Sequence, residues 1–221
     1  GYKRGISYML QDINEISDGK IYGLIGRNGI GKTTILKCMC GLLIPNKAEI
    51  ISDKGDLSRE DYLNRDIIYV SDEPIYYHNL TVQEHFWLVC KVENYTQEEA
   101  QKAISFYTNK LHMQEYLNYY PSALSKGTLQ RMMLIMGFLR RKPNLLLDEP
   151  FNGLDPVQLE EIIQICDEER KKRCMIISSH DIESLAELCD EYIVWGTNGI
   201  KVFSGKIDRK AVNQMIGDSY V

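Results

Sequence analysis

The sequence predicts an α/β fold: a mostly parallel sheet buried on both faces, interrupted by an all-helical lobe. Three observations carry this. Five short runs rich in Ile, Val and Leu recur along the 221 residues with helical stretches between them, the pattern of strands covered by helices on both sides. The region from Thr81 to about Arg141 has helical periodicity almost throughout instead. One strand candidate, residues 21–25 (IYGLI), runs directly into the glycine-rich stretch GRNGIGKTT, so strand, tight loop and helix follow one another. A chain of this length suits one core, or one core with a smaller lobe.

Taken in order, the helix after the glycine-rich loop is expected over residues 33–43, and a second strand over residues 67–70 (IIYV). Thr81-x-x-Glu84 and Thr96-x-x-Glu99 are capping boxes that open two helices. Ser125 can cap a third, with Leu129, Met132, Met133, Met136 and Leu139 on its apolar face. That helix is expected to end in Arg140, Arg141 and Lys142 before Pro143, because cations complement a helix C-terminus and Pro stops it. Residues 145–147 read as a third strand. Asp155 before Pro156 is an N-cap with Pro at the first helical position. The helix so begun is expected to end in the basic run Arg170 to Arg173. Residues 175–178 and 192–195 supply the fourth and fifth strands. The whole reads as one domain, with a core of about residues 1–73 and 144–221 and a helical lobe of about 74–143. No repeat, low-complexity tract or long linker is visible.

Composition narrows the function. Hydrophobic residues make up 44% and charged residues 26%, ordinary for a globular protein. The formal net charge of −5 argues against a nucleic-acid partner, which needs a basic face. The basic run at 170–173 follows three acids and ends a helix, so the helix dipole explains it more simply. The longest apolar run, residues 132–139, falls well short of the roughly 20 residues that span a bilayer. The start, GYKRGISYML, has no apolar signal region, and its first residue, Gly rather than Met, reads as a trimmed end. Six cysteines show no metal-like spacing and read as free buried thiols.

Two motifs define the chemistry. Gly26-Arg27-Asn28-Gly29-Ile30-Gly31-Lys32-Thr33, continued by Thr34, fits the phosphate-binding loop G-x-x-x-x-G-K-[ST]. Its glycines let backbone N–H groups approach phosphates, and the following helix presents its positive end to the same anion. Lys32 should reach the β- and γ-phosphates and the Thr33 hydroxyl should ligate Mg²⁺. The second motif, Leu145-Leu146-Leu147-Asp148-Glu149-Pro150, is an apolar strand ending in two acids. Asp148 would stand at the carboxyl end of that strand, in the ligand crevice of an open α/β sheet, and hold Mg²⁺. Glu149 can polarise an attacking water, and phosphoryl transfer needs little beyond positioning and charge neutralisation.

Further segments complete the picture: Leu124-Ser125-Lys126-Gly127-Thr128 with Gln130 and Arg131, Asn152-Gly153-Leu154-Asp155-Pro156, Ser178-Ser179-His180-Asp181, and residues 68–86 (IYVSDEPIYYHNLTVQEHF). With them the sequence resembles the ATPase domain of ABC transporters over nearly its whole length, and it is more similar to bacterial exporter cassettes than to nutrient importers. The resemblance implies a P-loop NTPase of the ABC ATPase fold, with a mostly parallel core sheet, antiparallel β elements and an inserted α-helical subdomain. It also implies a head-to-tail dimer with ATP between the copies. One copy would supply the phosphate loop, Asp148, Glu149 and His180. The other would supply Ser125, Lys126 and Gly127 of the signature, with Asp155 at the dimer contact. Catalytic roles fall on Lys32, Glu149 and His180, and metal ligation on Thr33, Asp72 and Asp148.

Each role has a plainer alternative. Ser125 and Asp155 also read as simple helix caps, Lys126 as a solvated first-turn residue, and His180 as a core-edge histidine. The adenine-stacking ring expected upstream of the phosphate loop is Tyr2, with Tyr8 second; the strand expected before it is missing. Where the family usually has Gln, this sequence has Asp72. Lys126 replaces a usual Gly, and Thr128 a usual Gln. The expected partners are transmembrane permease subunits, docked on the surface from Asp72 to about Cys90, and a second ATPase subunit, identical or different. Tyr76, Tyr77, Phe86 and Trp87 are docking candidates, although Phe86 and Trp87 equally suit the core of the lobe. The implied location is the cytoplasmic face of the membrane. The alternative function is a non-transport ATPase of the same family acting on a soluble protein or nucleic-acid assembly.

Overall fold

The computed structural model describes residues 19–45, 50–52, 55–60, 65–196, 199–205, 207 and 209–217. Strand β1 (Ile21–Gly26) leads through the glycine-rich loop into helix α1 (Lys32–Met39). A short antiparallel pair follows, β2 (Ile51–Ser52) with β3 (Gly55–Asp56), and then β4 (Ile67–Val70). Three helices come next: α2 (Val82–Val92), α3 (Gln97–Lys110) and α4 (Lys126–Phe138). The chain returns through β5 (Asn144–Asp148), α5 (Pro156–Glu169), β6 (Cys174–Ser178), α6 (Ile182–Leu188), β7 (Glu191–Gly196), β8 (Gly199–Ser204) and α7 (Arg209–Ile216). Among the described residues the main sheet runs β4-β5-β6-β1-β7-β8. Its first five strands pair in parallel, and β8 is antiparallel to β7. All five strand expectations hold, and β8 adds an antiparallel edge.

The near-continuous apolar strands are explained by helices on both sheet faces. Tyr22, Leu24, Leu146 and Ile176 pack with Leu36 and Cys40 on the α1 side. Ile21, Ile25, Leu145, Leu147 and Ile177 pack on the other side with α4, α5 and α6. The approach of α4 is very close. A Cβ at Gly137 would lie 2.5 Å from a Val70 methyl, so only glycine lets this helix sit directly on β4.

Three helix ends depart from expectation. The first helix stops at Met39 rather than continuing to 43, because Gly41 turns the chain at φ 84. Buried Arg65 closes that end by donating to the carbonyls of Cys38 (2.5 Å) and Met39 (2.6 Å). Helix α4 ends at Phe138, so Arg140 and Arg141 lie beyond it. They tie the lobe together instead: Arg140 pairs with Glu93, and Arg141 pairs with Glu99 at 3.1 Å and lies 3.6 Å over the Tyr95 ring. Helix α5 ends at Glu169. Arg170 then bonds Asp190 (2.9 Å) and the Leu188 carbonyl (2.6 Å), and Arg173 pairs with Glu169 (2.8 Å). These two arginines of the basic run are therefore spent on neighbouring acids.

Both capping boxes form, with Thr81 and Thr96 accepting from the N–H groups of Glu84 and Glu99. The lobe leans on the core through Tyr107, whose hydroxyl donates to Glu169 (2.8 Å), and through the Lys110–Glu168 (3.0 Å) and His112–Glu161 (2.8 Å) pairs. Phe86 is fully buried in the lobe core and Trp87 packs partly against it. Phe86 is thus a packing residue and not a docking one. No described helix is long and apolar enough to cross a membrane.

Candidate active site

The carboxyl ends of three parallel neighbours, β1, β6 and β5, bring the first cluster together. Asp148 and Ser178 are direct cross-strand partners, and Ser178 follows the β1 register at Leu24. At the end of β1 the chain turns through Gly29 (φ 78) and Gly31 (φ 120), a left-handed path that favours glycine. Gly31 is the N-cap of α1 and offers no side-chain bond. The first N–H groups of that helix are therefore left to an anion, which the helix dipole also favours. Arg27, Asn28, Gly29 and Thr33 are exposed along this loop, Ile30 and Thr34 half-buried, and Gly26 is buried. A cleft of about 360 Å³ opens beside it, between the phosphate loop, His180 just before α6, and Asn213 and Ile216 of α7.

Lys32 is only 7% exposed. Its ammonium donates to the Gly26 carbonyl (2.9 Å) and pairs with Glu149 Oε1 (3.4 Å). The other oxygen of Glu149 hydrogen-bonds His180 Nδ1 at 2.9 Å. The Glu149 carboxylate thus bridges the other two residues expected to be catalytic, Lys32 and His180. Glu149 holds a left-handed backbone (φ 48), pinned by its N–H on Ser178 O (3.1 Å) and Oγ (3.0 Å). Beside it Asp148 is 1% exposed and accepts from Ser178 Oγ (2.6 Å) and Tyr69 OH (2.9 Å).

A second cluster forms where α4 and α5 begin. Ser125 caps α4 by accepting from the Thr128 N–H (3.2 Å) and bonds the Thr128 hydroxyl (2.8 Å). Asp155 caps α5, accepting from the Gln158 N–H (2.9 Å). Gly127 lies against the segment before Asp155: a Cβ there would be 2.7 Å from the Gly153 carbonyl. Ser125, Lys126 and Asp155 are exposed. The structure therefore brings the signature and the Asn152–Asp155 segment together in one chain, separately from the bridge at Glu149. Asp72 accepts from the Asn152 amide at 3.3 Å, so its bonding partner lies in that segment. Tyr2 and Tyr8 lie outside the described residues.

The donor set suits Mg²⁺. This ion is usually held by one or two carboxylates together with substrate phosphates, not by an all-protein cage. A buried Asp148 at a strand end and an exposed Thr33 hydroxyl at the anion-binding helix start fit that pattern. Among the described residues no group of three His, Cys, Asp or Glu side chains could hold a metal by itself.

Sequence reading missed Tyr69, Ser178 and His85 as functional or supporting residues. Ser178 was legible as the end of a strand and as the start of the Ser178–Asp181 segment, but not as a partner of Asp148 and Glu149. Tyr69 carried a weak signal, since a tyrosine in a buried run needs a partner for its hydroxyl. His85 is fully buried; it accepts from the Tyr77 N–H (2.9 Å) and bonds the Thr81 carbonyl (2.7 Å), which fastens the segment after Asp72 to α2.

A family model described as ABC transporter matches residues 10–152. The chain is 29% identical over 181 residues to the ABC-type transporter ATP-binding protein EcsA of Bacillus subtilis, covering 81% of this chain and 73% of that one. It is 29% identical over 211 residues to the uncharacterized ABC transporter ATP-binding protein MJ1023 of Methanocaldococcus jannaschii, covering 92% and 74%. A solved structure of an ATP-binding subunit of an ABC transporter superposes with a TM-score of 0.78 at 25% identity, covering 92% of this chain and 85% of that one. The chain belongs to the ABC transporter family, among its ATP-binding subunits.

Proposed function

We propose that this chain is a Mg²⁺-dependent ATPase that works as a two-copy sandwich and drives separate transmembrane permease subunits. The observation that supports this reading best is the Glu149 bridge between Lys32 and His180. The γ-phosphate of ATP, entering at the start of α1, competes with Glu149 for the Lys32 ammonium. The freed carboxylate then accepts a hydrogen bond from an attacking water, and His180 turns its ring toward the phosphate. Mg²⁺ held by Thr33 and Asp148 would neutralise charge on the phosphates. The loop N–H groups of residues 26–34 align the chain of phosphates, which is most of what phosphoryl transfer requires.

The second cluster serves the partner copy in this reading. Ser125, Lys126 and Gly127 face the nucleotide held by the other phosphate loop, and Asp155 lies at the dimer contact. Neither half surrounds the γ-phosphate alone, so ATP favours the closed pair by binding it more tightly than the open one. Residues 1–73 and 144–221 act as the core and 74–143 as the lobe that carries the signature. Permease docking falls on Ile75 and Tyr77, which are 72% and 61% exposed, in the segment that His85 fastens. The chain then sits at the cytoplasmic face of the membrane.

Light scattering on Glu149→Gln tests the sandwich. With Mg²⁺ and ATP the variant should accumulate as a dimer, because the bridging nucleotide is bound and not consumed. A purely monomeric species at saturating ATP contradicts it.

A further inference from the structure

Asp148 has both oxygens engaged, by donors from the two strands that flank its own. Tyr69 on β4 donates to Oδ2 (2.9 Å) and Ser178 on β6 donates to Oδ1 (2.6 Å). The carboxylate is thus gripped from opposite sides, and rotation about its last bond would break both contacts. A carboxylate has about four acceptor positions, so each oxygen keeps one more. Ser178 Oγ also accepts from the Glu149 N–H (3.0 Å), which links the grip to the backbone of the neighbouring acid.

Tyr69 is well suited to the task. Its ring packs against the apolar cluster of Leu36, Cys40 and Leu146, so the hydroxyl is aimed by packing. Burial first, and then the negative charge of Asp148, push that hydroxyl far above its ordinary pKa. The geometry sets its role: Asp148 Oδ2 lies 2.9 Å away and the hydroxyl donates to it. Hydrogen bonds to a charged acceptor are roughly twice as strong as neutral ones, and groups behind a ligand orient it for the metal.

We propose that Tyr69 is a positioning residue of the metal site: its hydroxyl, opposed by Ser178, fixes the plane in which Asp148 offers its remaining acceptor positions to a divalent cation or its water shell. This rests on the reading of the chain as a Mg²⁺-dependent ATPase. Tyr69 touches neither nucleotide nor metal and acts only through Asp148.

The test is a Mn²⁺ titration, followed by electron paramagnetic resonance, with a non-hydrolysable ATP analogue bound. Tyr69→Phe removes one oxygen atom. It should weaken Mn²⁺ binding by about tenfold, while analogue binding in EDTA stays near the parent's and the variant, although it melts lower, stays folded at the assay temperature. In an Asp148→Asn background the same change should add nothing, the signature of action through one partner. Tyr69→Phe binding Mn²⁺ as tightly as the parent overturns the proposal alone. So does a loss of metal-free analogue binding equal to the loss of Mn²⁺ binding, which marks a general packing role. A parent chain whose analogue binding is indifferent to Mn²⁺ removes the metal reading, and the proposal with it.

Discussion

At the scale of single residues, Glu149 concentrates the chemistry and its cost. Its left-handed backbone (φ 48) is unfavourable for any side chain with a Cβ, by roughly 1–2 kcal/mol. The position is held because Ser178 grips its N–H from both its carbonyl and its hydroxyl. Replacing it by Ala and by Gly removes the same carboxylate, but only Gly relaxes the backbone. Glu149→Gly should therefore be more stable than Glu149→Ala by about 1 kcal/mol; coincident urea midpoints would show that the backbone is not strained. Lys32 is the second residue on which the account depends. Lys32→Ala removes a charge-assisted contact of the order of 1.5–3 kcal/mol. ATP-analogue affinity should drop by roughly ten- to a hundredfold, as read by a fluorescent-nucleotide titration.

At the scale of elements, glycine contacts set how closely the lobe meets the core. A Cβ at Gly137 would press on Val70 at 2.5 Å, and overpacking of this kind costs about 1–3 kcal/mol. Gly137→Ala should lower the melting temperature accordingly, and an unchanged temperature would mean that α4 has room to move off β4. Gly127→Ala meets a backbone carbonyl, that of Gly153, at 2.7 Å. It should displace the start of α4 from the Asn152–Asp155 segment while leaving analogue binding by the same chain's phosphate loop unchanged. A drop in that binding would contradict the separation of the two clusters. The capping boxes carry a pH signature. Backbone N–H groups at Thr81 and Thr96 hold the carboxyls of Glu84 and Glu99 below the usual value, helped at Glu99 by Arg141. A lowered folded-state pKa means stability that is present above the unfolded value and lost as pH falls through the folded one. Titration of these two carboxyls by nuclear magnetic resonance should give midpoints below those of free glutamate, and ordinary midpoints would show that the boxes are open in solution.

At the scale of the whole molecule, the parts legible in the sequence were those whose physics is local. A phosphate loop is a contiguous run of backbone geometry, so Gly26 to Thr34 named itself. Caps such as Ser125 and Asp155 act within three residues and appeared where expected. The strands were visible because burial on both faces leaves little choice but Ile, Val and Leu. What stayed hidden depends on pairings across the chain. The Tyr69–Asp148 bond spans 79 positions, and the Arg140–Glu93 pair replaced a local dipole argument with a contact across 47. The exposed edge strand β8 lacks a clean apolar alternation, and helices α6 and α7 are only seven and eight residues long, so these three were not anticipated. The central claim joins the legible and hidden parts: Glu149, placed by the sheet between Lys32 and His180, drives hydrolysis of ATP. The most direct measurement is phosphate release from Mg-ATP by the purified chain beside Glu149→Gln. A general base contributes about a hundredfold or more, so the account predicts a fall of at least that size with analogue binding retained. Equal rates in the two proteins would contradict it.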